Sequence, residues 1–435
     1  MKGVIIRRNL ILDTALILAL IYNSNSVWAL AEDQFSLSCF ALLLVSLIYY
    51  LCLCLRKRHG FYLTIVPVAI VALSTLMVQL IISLVHDWGG LLDGTWFQYT
   101  LILPLLLGIL LIRGERYVYD VFLPTLVTVS VIVCFVSVCL WFFACFTALP
   151  PTSTTRLMWT SGKEIDSYYG LFYKIQPITI GGINIWRNTS VFPEPPMAAV
   201  YYGIIFAINI FYNNKNIYVN GAILVIGLLT TMSTSAYVYI ILLLFLYCLR
   251  RGNNKDYRKS KSRMIIILAL SIPLSYFVFR IGVNKISTSA SGMTHLFDFV
   301  EGVSIWGDSP IFGFGFDSDD FIWQHYISNY RGGIGYTSGA IFMLIHGGIL
   351  ALMMVVIPLI GYMTTPLRKT SIYFSLFLFL VFLTVVVQNC GAFILCLSLG
   401  YANYIWESRK LRSARNAVCG DCNVLSADRT FAGQS

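Results

Sequence analysis

The chain has 435 residues, of which 58% are hydrophobic and 11% charged, with a mean hydropathy of +0.77 and a formal net charge of +10. Soluble domains carry roughly 25% charged residues, so water is excluded as the solvent for most of this chain. Topogenic charge and contact with anionic headgroups account for the basic balance, and no nucleic-acid partner is implied.

Continuous apolar runs of about 15 to 27 residues recur from end to end. Each approaches the length a helix needs to cross the hydrocarbon core, where only helices or closed barrels satisfy their backbone. Barrel strands alternate residue by residue and these runs do not, so the expected fold is an all-α polytopic membrane protein. Twelve spans are predicted, at residues 9–30, 35–55, 61–85, 97–112, 121–148, 197–213, 217–232, 235–249, 264–279, 339–362, 371–388 and 391–406. The members of the pairs 217–249 and 371–406 are short enough to be re-entrant. Residues 1–406 thus form a transmembrane bundle, and 407–435 a cytoplasmic tail expected to be disordered.

Loop charge tests the count. Alternate loops collect Lys2, Arg7, Arg8, Arg56, Lys57, Arg58, Arg113, Arg116, Lys215, the cluster from Arg250 to Arg263, Arg368, Lys369 and the tail from Arg409. That is 23 of the 30 basic residues on one side, which the positive-inside bias assigns to the cytoplasm together with both termini. The first run has basic flanks but no small-residue cleavage site and reads as a retained signal anchor. Most cysteines lie in spans as small apolar residues. Cys419-Gly-Asp-Cys422 is a single CxxC pair, a weak metal signal, and neither a metal nor a cofactor is expected.

Two outer segments are large, 149–196 and 280–338, and long ordered loops tend to carry function. The first ends in Arg187-Asn-Thr-Ser-Val-Phe-Pro-Glu-Pro-Pro196, a guanidinium and a carboxylate just before an apolar run. In the second, residues 294–306 have apolar positions at helical spacing and predict a short amphipathic surface helix. Asp308-Ser-Pro-Ile-Phe-Gly-Phe-Gly-Phe316 follows, a glycine turn suited to close backbone approach to a ligand or the bundle. Gly347-Gly348 in the next span allows close helix contact.

This order of elements resembles the Wzy-type O-antigen and polysaccharide polymerases and the related O-antigen ligases. The shared features are Arg-x-x-x-x-Phe-x-Glu-Pro before a span (Arg187 to Pro195) and a Thr-x-Ser turn between two short spans (Thr231-Met-Ser233). Pro-Ile-Phe-Gly-Phe-Gly-Phe in the second outer loop (310–316) and Gly-Gly-Ile in the span after it (347–349) complete the set. The resemblance covers roughly residues 185–350. Departures are Ser233-Thr-Ser235 where the family often has Ser-Arg, and Met293 where an arginine often follows Ser-Gly. Ligases usually have a His-Asn or similar pair before the tenth span; here Gly335-Tyr-Thr-Ser-Gly339 has no histidine, which favours a polymerase.

The resemblance implies a glycosyltransferase of the bacterial cytoplasmic membrane, active on its periplasmic or extracellular face. It would polymerise undecaprenyl-pyrophosphate-linked repeat units into O-antigen, capsule or exopolysaccharide, alongside a flippase and a chain-length regulator. A ligase passing glycan to an acceptor lipid or protein is the alternative within the family, and a flippase or other twelve-helix transporter the alternative outside it. The expected catalytic residues are Arg187, as a phosphate clamp or an interfacial anchor, and Glu194, as a base or a helix cap. Substrate-binding candidates are Arg280 and Arg331, at the membrane boundaries of the second loop, and His325, among aromatic residues suited to stacking on sugars or to an interfacial belt. Asp317, Asp319 and Asp320 read as a solvated loop rather than an ion site, and His346 as a packed, hydrogen-bonded histidine.

Overall fold

The structure is a computed structural model that describes residues 2–31, 35–56, 61–86, 97–147, 149–157, 162–180, 182–213, 216–251, 290–327, 336–363 and 369–431. It is mostly helical. The long helices are α1 (Lys2–Tyr22), α3 (Phe35–Arg56), α4 (Phe61–Val85), α5 (Gln98–Arg113), α6 (Glu115–Phe146), α7 (Pro195–Phe211), α8 (Ile217–Thr230), α9 (Thr234–Arg251), α10 (Ala290–Asp308), α12 (Gly339–Met363), α13 (Lys369–Thr384) and α14 (Gly391–Phe431). Two short helices complete the set, α2 (Val27–Leu30) and α11 (Asp319–Ile322). Every predicted span overlaps a helix except 264–279, which lies outside the described residues. Among the described residues, four segments are long and apolar enough to cross a membrane: Leu37–Leu55, Thr64–Val85, Glu115–Phe146 and Gly339–Met363. Leu44, Leu47, Ile70, Leu73, Phe135 and Phe142 on these helices are exposed, as lipid-facing side chains would be and as a soluble surface of this size rarely is.

At the centre is α7, in which nearly every residue is buried. A helix apolar all round is stable only when neighbours cover it on all sides; α6, α8, α9, α13 and α14 do so. Pro195 and Pro196 open it, where missing N–H groups cost nothing.

Three expectations are corrected. The run 9–30 is not one helix: α1 stops at Tyr22, and Asn23-Ser-Asn-Ser26 turns the chain, with Asn25 at φ 55°. Short polar side chains compete for the backbone there, Ser24 and Ser26 donating to the Leu20 and Tyr22 carbonyls at 2.6 and 2.8 Å. The segment 371–388 likewise leaves helix after Thr384, and 385–390 is irregular. The fold is also not all-α. Residues 149–196 form a three-stranded antiparallel sheet, β1 (Ser153–Leu157), β2 (Lys163–Tyr168) and β3 (Phe172–Lys174), and a hairpin, β4 (Pro177–Ile180) with β5 (Ile183–Trp186). Tyr169 and Gly170, at φ 53° and 66°, make the tight turn between β2 and β3. The last helix runs from Gly391 to Phe431.

The sheet is fastened to one end of the bundle. Trp28 Nε1 donates to the Gly170 carbonyl at 2.7 Å, Leu157, Ile165 and Tyr173 bury against Val27, and Trp141 Nε1 donates to the Trp186 carbonyl at 2.6 Å. At the other end, Asp13 on α1 is wholly buried and faces Arg113 of α5 at 3.6 Å. The Tyr49 hydroxyl donates to Asp13 and accepts from Arg113, the Tyr117 hydroxyl donates to Asp13 at 2.5 Å, and both rings lie under the guanidinium.

Candidate functional site

The β layer delivers Arg187 to its place. Its own N–H extends the hairpin by bonding the Gln176 carbonyl at 3.0 Å, and the Asn188 N–H bonds the Thr230 carbonyl at 3.0 Å. Asn188 is buried and held at both ends of its amide: Oδ1 accepts from Ser137 Oγ and from the Ser190 N–H, both at 2.9 Å, while Nδ2 donates to Thr230 Oγ1 at 2.9 Å. Ser190 Oγ meets the Tyr202 hydroxyl at 2.6 Å. The loop is thereby pinned to α6, α7 and the end of α8, so Arg187 sits on a rigid support.

The Arg187 guanidinium closes on the turn between α8 and α9. Nε donates to the Thr231 carbonyl at 3.0 Å, one terminal nitrogen to the Met232 carbonyl at 3.1 Å and the other to Gln176 Oε1 at 3.0 Å. Met232 takes a left-handed backbone, φ 49°, which turns those two carbonyls to the same side. These three bonds use three of the five guanidinium N–H groups, leaving one on each terminal nitrogen with no partner among the described residues. All three acceptors are neutral. Burial lowers the Arg187 pKa, and the charge of Glu194, with Tyr237, works against that shift. Arginine stays charged under any such shift, so a half-buried cation is held in a fixed orientation.

Glu194 occupies the N-cap position of α7. Its carbonyl accepts from the Met197 and Ala198 N–H groups at 3.1 and 3.2 Å, but its carboxylate makes no capping hydrogen bond. It lies close enough to favour the charge on Arg187. The two expected catalytic residues thus lie within electrostatic range of each other. His325 is elsewhere: it is exposed, stacks on Phe321 at 4.2 Å between ring centroids, and bonds the Phe321 carbonyl through Nδ1 at 2.9 Å. Arg280 and Arg331 lie outside the described residues.

Sequence reasoning passed over a second centre. The helix α12 breaks at Gly348, φ 60° and ψ −157°, and the glycine turn 310–316 docks into the break. Phe314 and Gly315 N–H groups bond the carbonyls of Ile345 and His346 at 2.8 and 2.9 Å, and Ile349 N–H bonds the Pro310 carbonyl at 3.0 Å. Immediately before the break His346 is wholly buried, with Nδ1 3.0 Å from the Gly315 carbonyl and Nε2 3.3 Å from Asp319 Oδ1. Both ring nitrogens thus face oxygen acceptors, and the ring lies among Phe316, Phe342 and Tyr336. The Tyr336 hydroxyl donates to Asp319 Oδ1 at 3.3 Å. Burial alone would raise the Asp319 pKa, but hydrogen bonding and charge from His346, with the Tyr336 bond, outweigh it and hold the carboxyl below its usual range. Among the described residues, no group of three or more histidine, cysteine, aspartate or glutamate side chains is placed to hold a metal ion. The available signal was His346 itself, an ionisable residue inside an apolar run; its partner, 27 positions earlier in the chain, is visible only in three dimensions.

No family model matches the chain, and no curated protein or solved structure matches it. The functional reading therefore rests on the chemistry of the site.

Proposed function

We propose that this protein is a membrane glycosyltransferase that joins lipid-linked oligosaccharide repeat units, with Arg187 binding the pyrophosphate of the donor. The observation that carries this reading is the Arg187 geometry: a desolvated guanidinium, oriented by three neutral acceptors, with one N–H on each terminal nitrogen still to be matched. Two such N–H groups suit two phosphate oxygens, a pairing for which arginine is preferred over lysine. In the reaction a hydroxyl of the acceptor sugar attacks the anomeric carbon of the donor glycan. The bond from that carbon to the pyrophosphate oxygen breaks, the electron pair leaves with pyrophosphate, and Arg187 stabilises the developing charge. The hydroxyl proton passes to a base, for which Glu194 is the nearby carboxylate. No nucleotide sugar takes part.

The topology proposed with it has twelve spans, both termini in the cytoplasm and the β-bearing loop outside, in the cytoplasmic membrane of a bacterium. Polymerase is preferred to ligase because no histidine pair precedes α12. An apolar groove of about 470 Å³ beside α4 and α5, lined by Leu73, Leu76, Leu80, Phe97 and Leu101 among others, is the kind of surface a polyprenyl chain lies against. A carrier is the weaker reading. Carriers break helices around their substrate, whereas the break in α12 is filled by the chain's own turn.

Deletion of the gene tests the reaction class through the surface glycan ladder. Loss of long chains with single repeat units still attached supports a polymerase; complete loss of attached glycan indicates a ligase, and units trapped on the inner leaflet a flippase. For the site, Arg187→Lys keeps the charge but not the fork. Removing one well-aimed donor costs about 2.7–4 kcal/mol of transition-state stabilisation, so long chains should disappear at equal protein abundance. Normal chain length in that variant rules out the clamp.

A further inference from the structure

The break after α1 and the irregular segment after α13 meet. The Gly391 N–H bonds the Asn23 carbonyl at 3.4 Å, and the Ala392 N–H bonds Ser24 Oγ at 3.1 Å. Two side-chain amides reach the same place. Asn23 Nδ2 donates to Ser38 Oγ and Cys39 Sγ at 3.2 and 3.3 Å; Gln98 Nε2 donates to the same sulfur at 3.5 Å and to the Asn389 carbonyl at 3.1 Å. Each amide uses its nitrogen twice and its oxygen not at all. Asn23 Oδ1, Gln98 Oε1, Gln388 Oε1 and Asn389 Oδ1 are all buried with no hydrogen-bond partner among the described residues. Asn23 and Gln98 are 0% exposed and Gln388 1%. Gly391 packs closely on this turn: a side-chain carbon there would lie 2.9 Å from the Leu20 carbonyl oxygen and 3.2 Å from Asn23 Oδ1.

One unpaired buried amide oxygen is a packing fault; four on residues that are neighbours in the chain or joined by these bonds, Asn23 to Gln98 through Cys39 Sγ and Gln98 to Asn389 through its carbonyl, are a pattern. Buried polar groups find partners, so this cluster calls for a guest that supplies positive charge and nothing else. The bond from Gln98 Nε2 to a main-chain carbonyl fixes which way that amide points, because its oxygen in the same position would face another acceptor. Sugars and phosphates are too large for a place closed to solvent, and phosphate would add acceptors. A lone water gives two hydrogens, and its own oxygen then faces acceptors. A small cation accepts every oxygen at once, and neutral oxygens beside interrupted helices are a setting in which membrane proteins hold sodium.

We propose that Asn23, Gln98, Gln388 and Asn389 form a binding site for an alkali-metal cation, which ties α1, α5 and the α13–α14 connection together. The site is independent of the glycosyltransferase reading.

The test uses the full-length protein in detergent micelles, unfolded thermally in sodium, potassium or choline chloride at one ionic strength. A saturable rise in midpoint with sodium or potassium over choline is expected. Equal midpoints in all three salts overturn the proposal and leave water in the cluster. Gln98→Leu, which removes an oxygen and keeps the volume, should lose the cation-dependent rise; a full rise in that variant overturns the location. Radiolabelled sodium binding to the unaltered protein gives a readout that does not depend on the variant folding. Saturable uptake supports the site, and its absence under conditions where potassium has been removed overturns it.

Discussion

Gly348→Ala is the sharpest test of how the second outer segment is held. The backbone at Gly348 has φ 60° and ψ −157°, a region open to glycine and closed to residues with a Cβ, at a cost of about 1–3 kcal/mol when forced. The added carbon would lie 2.2 Å from the Ile311 carbonyl oxygen and 2.3 Å from its carbon. Those are main-chain atoms, so no rotamer change relieves the contact, and the 310–316 turn must leave the break in α12. With it go the three bonds from Phe314, Gly315 and Ile349, each worth about 0.5–1.5 kcal/mol net. Together the strain and the bonds come to about 2.5–7.5 kcal/mol, a large part of the roughly 5–15 kcal/mol that holds a domain folded. Equilibrium unfolding in mild detergent measures the loss, and proteolysis within 308–320 reports release of the turn. Gly307→Ala is the control: it lies in the last turn of α10 with no atom within 4 Å of the new carbon, and should be neutral or slightly stabilising. If Gly348→Ala is as stable as Gly307→Ala, the docking described here is wrong.

Two further outcomes concern charged groups. Asp13→Leu leaves Arg113 buried without its carboxylate, which commonly costs 3–5 kcal/mol, roughly; the double change Asp13→Leu with Arg113→Met should recover most of that loss, measured as the unfolding free energy in detergent. A single variant as stable as the parent would mean that the pair at 3.6 Å contributes nothing. Asp319 has its pKa depressed in the folded protein by His346 and Tyr336 against the effect of burial. Its contribution is therefore complete above the ordinary carboxylate pKa of about 3.9 and is lost as pH falls below it. Asp319→Asn should flatten that acid limb in a pH series of unfolding midpoints, and superimposable limbs would remove Asp319 from the account.

Much of the bundle was legible because helix formation in lipid depends on local composition. A run such as 121–148 has to satisfy its own backbone wherever it packs, and it becomes α6. The amphipathic stretch 294–306 was legible for the same reason and lies inside α10. The sheet was not. Its strands are three to six residues long, and short strands are stable only through partners and a surface to cover, here Val27 and Trp141. The breaks at 23–26 and 385–390 were hidden because the bonds that join them connect residues far apart in the chain, as the Ala392 N–H does in donating to Ser24 Oγ.

From the sequence alone come the solvent of the chain, the approximate helices, the sidedness expected from basic loops, and the prominence of Arg187 with Glu194. Each of these depends on transfer energy or charge that residues carry individually. The tertiary structure decided what those residues are held by. It set Arg187 on the carbonyls of Thr231 and Met232, set Asp319 against His346, and turned the Gly347–Gly348 pair from a helix contact into a helix break filled by another segment. Contacts of this kind join positions 27 to 45 residues apart, and sequence periodicity has no means of encoding their geometry.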